Sequence, residues 1–243
     1  MADLKLEPIH VPKSSDVLAD HLRKQILGGA LAPGAPLPAE RDLVLRTGLS
    51  RGSVREALRI LEAEGLVSTR PGRQGGSVAR QPGDESLARY IGMFVQGRGI
   101  SLISLLQTRE AIEPSAAYLA AQNRTDEELA ELTRLTESVE DAYADLPRYL
   151  AENVKWHCAI AGASRNELLR AIMVAISSMV YKASAIENFA TEDIRRVVLK
   201  AHRRILDAIV ARDADAARRR MARHLAALTD QMKAFPHAPA VIE

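Results

Sequence analysis

Cysteine is nearly absent. The chain of 243 residues holds one, Cys158, so no intramolecular disulfide can form, which fits a reducing compartment and a cytoplasmic protein. Aromatic residues make up only 4%, which argues against the stacking platforms that bind single strands or RNA. No apolar run approaches the ~20 residues that span a bilayer, and no apolar stretch follows a basic N-terminus. Neither a membrane partner nor a secretory leader is expected. A large net charge is missing too: at +2 the chain is no general polycation. What is present is 47% apolar and 26% charged residues, enough to bury a core and stay in solution, in a length that suits two modest domains.

The charge is unevenly placed. Residues 1–80 carry 12 Lys and Arg against 9 Asp and Glu, whereas residues 81–243 carry 21 against 22. Val67–Arg80 holds Arg70, Arg73 and Arg80 and no acid. A local basic patch of this kind bears on phosphate binding more than the total does.

Two periodic regimes follow one another. Residues 1–13, with two prolines and no steady period, are expected to form a flexible arm. In 14–80, Val17, Leu18, Leu22 and Ile26 mark a helix that Gly28-Gly29 ends. A turn-rich stretch leads to a short helix over Glu40–Arg46, Thr47-Gly48-Leu49 forms a tight turn, and Ser50 caps a third helix reaching Glu64. Leu66–Thr69 and Gly76–Arg80 read as short strands joined by a glycine-rich turn carrying Arg70, Gly72 and Arg73. Residues 81–85 are a linker. From 86 to 235 the spacing is helical almost throughout, in about seven helices near 84–97, 101–122, 125–144, 147–162, 165–189, 191–212 and 213–234. Residues 236–243 are a tail. The fold class expected is mainly α: a winged helix-turn-helix of three helices and a small β-wing, then an antiparallel all-α bundle.

Helix, short helix, glycine turn, helix and wing in that order define a DNA-binding module. The turn must cross two helices within a few residues, and Gly48 can take the positive φ this needs. Arg51 and Arg55 lie four apart, opposite Val54, Leu58 and Leu61, with Ser53 beside them. Arginine grips guanine O6 and N7 with two hydrogen bonds, or clamps a phosphate. An amphipathic helix with arginines on its wet face is common in soluble proteins. The capped start and the arginine-bearing wing are what favour a duplex here, and Ser50, Arg70 and Arg73 are expected among the DNA-binding residues.

In the second region three histidines, His157, His202 and His224, sit on or beside apolar stripes of separate helices. A buried imidazole needs a hydrogen-bond partner or a metal. Asn153 lies one turn before His157. Together the four side chains suit a divalent ion, zinc first, with nickel or manganese as alternatives. Each histidine alone is equally an ordinary hydrogen-bonded core residue, and spacing does not show that they converge. Arg109 falls on the stripe of Leu102, Leu105 and Ile112 with Glu113 one turn on. The pair is either a surface ion pair worth little or a pocket-edge group that meets an effector. Trp156 and Cys158 are expected to pack, and Arg218-Arg219-Arg220 to form a solvated face.

Leu37-Pro38-Ala39-Glu40-Arg41-Asp42-Leu43, Gly48-Leu49-Ser50-Arg51-Gly52-Ser53-Val54-Arg55-Glu56-Ala57-Leu58 and Leu61-Glu62-Ala63-Glu64-Gly65-Leu66-Val67 resemble the N-terminal domain of GntR-family regulators. The resemblance implies that Arg41, Arg51, Ser53, Arg55 and Gly72 contact operator DNA. Ala39 departs from the usual serine and removes a helix cap worth ~1 kcal/mol, and Gly52 replaces a frequent threonine. Arg109-Glu110-Ala111-Ile112-Glu113-Pro114, Asn153-Val154-Lys155-Trp156-His157, Ala201-His202-Arg203-Arg204-Ile205 and Met221-Ala222-Arg223-His224-Leu225 resemble the FCD ligand-binding domain of the FadR subgroup. That resemblance implies a metal held by an Asp and three His, at positions occupied here by Asn153, His157, His202 and His224, and a small organic acid as effector. Asn153 in place of Asp leaves the site one unit more positive.

The expected protein is a homodimer that sets two recognition helices on a near-palindromic operator and acts as a repressor under effector control. Two other readings are compatible with the residues. One is a metal-free dimeric DNA-binding protein. The other is a hydrolase built on three His ligands, for which Glu152 or Asp207 would have to supply a general base.

Overall fold

The computed structural model of the chain describes residues 11–70, 76–184 and 190–233. The expected arm and tail lie largely outside the described residues, as does the wing tip with Gly72 and Arg73. Two compact units, 1–86 and 87–243, divide the chain.

The first unit is built on α1 (Ser14–Leu27), α2 (Glu40–Thr47) and α3 (Arg51–Ala63), followed by the antiparallel strands β1 (Val67–Arg70) and β2 (Gly76–Ala79). Leu18, Leu22 and Ile26, four residues apart, give α1 one buried stripe, which meets Val54, Ala57, Leu58 and Leu61 of α3. Full burial of a side chain such as Leu61 contributes ~1.5–3 kcal/mol. Arg23 of α1 fastens the far end of α3, its Nε donating to Glu64 at 2.8 Å and its Nη2 at 2.6 Å. Gly48 closes α2 in the left-handed region, at φ 70°, and its N–H reaches the Val44 carbonyl. A side chain there would be strained, so this glycine lets α3 leave α2 at once. The β1–β2 register pairs Val67 with Ala79 and Arg70 with Gly76. Both strands run within a residue of the expected bounds. Pro36 bridges to Val78, so the turn-rich segment forms a short third edge of the wing.

The second unit consists of α4 (Asp84–Arg98), whose first turn belongs to the first unit, α5 (Leu102–Asn123), α6 (Asp126–Asp141), α7 (Leu146–Ala163), α8 (Glu167–Ser184), α9 (Glu192–Val210) and α10 (Ala214–Lys233). Side-chain caps start them. Ser101 accepts from Ser104 N, Thr125 and Glu128 form a reciprocal capping box, and Asp145 and Thr191 accept from Arg148 N and Ile194 N. Such caps satisfy backbone donors that the first turn leaves free. The central helix α5 buries Ala116, Ala117, Ala120 and Ala121, and these small side chains let α10 lie closely along it.

Several boundaries differ from the expectation by two or three residues: the sixth helix ends at Asp141, not 144, and the ninth at Val210, not 212. The eighth helix starts at Glu167, not 165, because Arg165 takes φ 56° and Asn166 caps the helix by accepting from Leu169 N. Residues 185–189 of that expected helix lie outside the described residues. A second left-handed residue, Arg212 at φ 54°, turns the chain from α9 to α10. Its guanidinium donates to the Gln122 and Arg124 carbonyls at 3.0 and 3.2 Å, hydrogen bonds a glycine could not supply. No helix among the described residues is long and apolar enough to cross a membrane.

Candidate functional site

The tip of α3 is exposed and capped. Ser50 Oγ accepts from Ser53 N at 3.1 Å and lies 3.0 Å from Ser53 Oγ. The two serine hydroxyls thus engage each other. Arg51 and Arg55 are both exposed on the wet face, away from Val54 and Leu58. Arg55 is not idle: its Nε donates to Glu40 Oε2 of α2 at 2.9 Å. Both groups of this pair are open to water, with 61% and 45% of their side chains exposed, so the pair holds Arg55 only weakly. Arg41 is freely exposed at the start of α2, and Arg70 is exposed at the end of β1. Ala39 makes no side-chain cap for α2, as its chemistry dictates. A Cβ at Gly52 would meet only Ser50 Oγ, at 3.7 Å, so the missing threonine leaves a gap and relieves no crowding.

The second unit draws three histidines from three helices into one place. His157 of α7, His202 of α9 and His224 of α10 are all buried, with candidate ligand atoms within 4.8 Å of one another. Ring centroids lie 5.0 Å apart for His202 and His224 and 5.3 Å apart for His157 and His202. Among the described residues, both nitrogens of His202, Nε2 of His224 and Oδ1 of Asn153 are buried with no hydrogen-bond partner. One such atom costs ~1–3 kcal/mol. Three of these atoms belong to the imidazole cluster, Asn153 lies one turn before His157 on α7, and a donor set of imidazole nitrogens and one amide oxygen fits a divalent ion such as zinc.

Arg109 and Glu113 of α5 complete this locality. The surface reading of this pair is overturned. Their side chains are 4% and 2% exposed, and the Arg109 Nε donates to Glu113 Oε1. The other carboxylate oxygen lies 2.5 Å from His157 Nδ1. Glu113 is therefore a hinge between a guanidinium and an imidazole. Burial works to raise its carboxyl, but the charge of Arg109, with the hydrogen bonds from Arg109 and His157, holds it well down, at about 2. An ionised Glu113 fixes the proton of neutral His157 on Nδ1 and leaves Nε2 for a metal, the arrangement by which a carboxylate orients a metal-binding histidine. Burial lowers all three imidazoles. His157 is partly compensated by Glu113, His202 is pushed well down with help from its cationic and imidazole neighbours, and His224 falls to about 3. All three are neutral at pH 7, the form that coordinates metals.

Trp156 is fully buried. Its indole stacks on His202 at 3.7 Å, and its Nε1 donates to Thr136 Oγ1 at 2.8 Å. It packs, as expected, but it also forms one wall of the imidazole cluster. Cys158 packs beside Ser177, 3.1 Å from its hydroxyl, and burial pushes its thiol up. Glu152 is engaged by Lys155 at 2.7 Å and Ser138 at 3.1 Å, and Asp207 is exposed.

The sequence reading missed a cationic cleft. Between α9 and α10 lies a depression of about 300 Å³ whose lining includes Lys200, Arg204, Arg220, Arg223 and His224. Arg218-Arg219-Arg220 is accordingly only partly a solvated face. Arg218 stands 4.2 Å over the Tyr118 ring, and Arg220 is half-buried and donates to the Arg204 carbonyl. The available signal was basic residues at i, i+3 and i+4 spacing beside both His202 and His224.

An exposed, capped helix tip next to a β-wing, joined in one chain to a helical unit with a cluster of buried, partly unpartnered polar groups, is the arrangement of a DNA-binding regulator with a second, ligand-binding domain. Residues 14–75 match the bacterial regulatory proteins of the gntR family, and residues 104–227 match the FCD domain. The chain belongs to the GntR family of transcription regulators with a C-terminal FCD domain; it is not an enzyme. It is 31% identical over 222 residues to the HTH-type transcriptional repressor NanR of Cronobacter sakazakii, covering 90% of this chain and 85% of that protein. It is also 31% identical over 229 residues to an Escherichia coli protein named as a candidate regulator of the L-lactate dehydrogenase operon, covering 91% and 87%. Among solved structures it is similar to Streptococcus agalactiae GntR, with a TM-score of 0.66, 26% identity, and 89% of this chain and 99% of that one covered.

Proposed function

We propose that this regulator is a homodimeric repressor of a bacterial operon whose operator affinity is set by a small organic acid bound beside a divalent metal, zinc in the first place. The observation that carries this reading is the set of orphaned buried atoms on Asn153, His202 and His224, next to the Arg109–Glu113–His157 chain. Its likeness to a named repressor supports the sign of regulation.

Asn153, His157, His202 and His224 would hold the ion, which would supply a fixed positive charge for an oxyanion. Without a metal the locality is close to neutral: Arg109 offsets Glu113, and the imidazoles and the Asn153 amide carry no charge. A divalent ion then adds two uncompensated positive charges, because Asn153 brings no carboxylate. A carboxylate effector neutralises part of that charge in a water-poor site, where the interaction is stronger than in bulk water. Among the described residues, Glu113 is the hydrogen-bond partner shown for Arg109, through Nε. Its terminal nitrogens remain suited to a carboxylate in the fork geometry arginine favours.

At the other end of the chain, Arg41, Arg51, Ser53, Arg55 and Arg70 would meet DNA, with Gly72 and Arg73 of the wing. Ser50 acts by capping the helix that presents them. In a dimer the two α3 tips would enter successive major grooves, about 34 Å apart. A coupling of ~1–3 kcal/mol between effector and operator changes affinity ~5- to 150-fold.

Thermal unfolding of the full chain against a panel of organic acids, with and without zinc, tests the sensing half. An acid at 100 times its dissociation constant adds about 2.7 kcal/mol, so a true effector raises the midpoint only when zinc is present. If zinc leaves the midpoint unchanged and no acid alters it, the metal and effector reading is withdrawn.

A further inference from the structure

The cleft between α9 and α10 carries a chemistry that the imidazole cluster does not. Its floor is apolar, with Val198, Ala201 and Leu228, and its rim holds Lys200, Arg204, Arg220 and Arg223. No acidic side chain lines it among the described residues. Lys200 and Arg204 stand four apart on α9, and Arg220 and Arg223 three apart on α10, so each pair shares a helix face and repels itself. Elsewhere in this unit three exposed arginines do have carboxylate partners: Arg203 with Glu140, Arg196 with Asp193, Arg134 with Glu131. Among the described residues none of the four rim cations has one. The second, independent observation is at the base. His224 lines the cleft, is 8% exposed, and has a buried Nε2 without a partner. His224 thus belongs both to the cleft and to the imidazole cluster.

We infer that the effector is a short aliphatic dicarboxylate, bound with one carboxylate at the imidazole cluster, its hydrocarbon middle on the apolar floor, and its second carboxylate between Arg220, Arg223, Lys200 and Arg204. This rests on the organic-acid reading above and deepens it, by naming the ligand class and the residues that select it. A volume of about 300 Å³, some ten times the ~30 Å³ that one water takes in the liquid, leaves room for a short dicarboxylate such as adipate. An apolar floor disfavours a polyhydroxylated middle, whose hydroxyls would lose water without gaining partners. The rim arginines offer the forked donors that a terminal carboxylate accepts.

The test is calorimetric titration of the zinc-loaded full chain with adipate and with hexanoate, which has the same chain length and lacks the second carboxylate. Wild-type protein is expected to bind adipate about tenfold or more tightly than hexanoate, the worth of a charge-assisted contact. In R220Q/R223Q most of that preference should be lost, with hexanoate affinity unchanged. Lys200→Gln, at an exposed position, should lower the preference by a smaller factor and serves as a second variant if the double one folds poorly. Equal affinity for both acids in wild type, or a preference that survives R220Q/R223Q and Lys200→Gln, overturns the rim's role while leaving the organic-acid reading intact. Binding of neither acid, with zinc demonstrably held, removes both.

Discussion

Replacing Glu113 by glutamine isolates the link between the buried guanidinium and the imidazoles. The change keeps shape and volume and removes one charge. Arg109 offers donors only, and an amide has one acceptor. The Gln oxygen must therefore turn to Arg109, which places its NH₂ against His157 Nδ1, now 2.5 Å from a carboxylate oxygen. His157 can meet a donor there only by carrying its proton on Nε2, the nitrogen otherwise left for the metal. Two losses follow. Arg109, 4% exposed, is left as a buried charge without a counter-ion, which costs ~3–5 kcal/mol when one partner of such a pair is removed. Zinc affinity falls by ~10- to 100-fold, the usual effect of losing the group that orients a liganding histidine. Against a total stability of ~5–15 kcal/mol the variant still folds in part or fully. Urea unfolding of metal-free protein reads the first loss. Competitive zinc titration, followed through Trp156, the single tryptophan, stacked on His202, reads the second. A variant with unchanged urea midpoint and unchanged zinc affinity would refute the reasoning, because Glu113 would then neither neutralise Arg109 nor set the His157 tautomer.

Three further outcomes are expected. Asn153→Asp restores a carboxylate to the donor set, so zinc should bind about tenfold or more tightly, at ~1.4 kcal/mol per tenfold, and an acid effector should add less to that binding; equilibrium dialysis with and without acid decides it. Arg51→Ala and Arg55→Ala should each weaken operator binding by ~1–3 kcal/mol if they read bases, measured by fluorescence anisotropy at fixed salt, whereas Glu40→Gln, which releases Arg55 from its exposed pair, should leave the fold intact and tighten binding. Metal-free protein should lose stability on acidification below about pH 6.5. The unfolded state takes up protons at its ordinary imidazoles there, while folded His224, at about 3, and the lowered His157 and His202 do not. The unfolded state then binds more protons, so stability falls with falling pH by up to ~1.4 kcal/mol per unit per histidine; urea midpoints from pH 8 to 5 measure the slope, and a flat profile would contradict neutral burial.

Most helices were legible because they bury a stripe at helical spacing, and α3, α5, α6, α7 and α9 also start at a Ser, Thr or Asp whose hydroxyl or carboxylate caps them. Gly48 was legible for a similar local reason: one residue in the turn had to take positive φ, and glycine takes it without strain. Arg165 was not, since a left-handed arginine carries no local signal and is held by what surrounds it. The three histidines could be picked out by their stripes, but their convergence is a property of how α7, α9 and α10 pack. Arg109 and Glu113 showed the spacing of an ion pair. Whether that pair faced water or the interior depended on the helices covering α5, and its tie to His157 spans 44 residues. The Arg55–Glu40 pair and the cationic cleft were hidden for the same reason: each is formed by side chains from two helices, and periodicity speaks for one helix at a time.

The central claim is that one end of the chain grips a duplex under the control of a ligand at the other. It is tested most directly by titrating the full-length protein, at one moderate salt concentration, with the DNA upstream of its own gene and with a scrambled duplex of equal length, first alone and then with zinc and an organic acid that stabilises the fold. The account predicts a clear preference for the upstream fragment and a change in that affinity of ~5- to 150-fold on adding zinc and acid. Equal binding to both duplexes, or a preference that zinc and acid leave untouched, would contradict it.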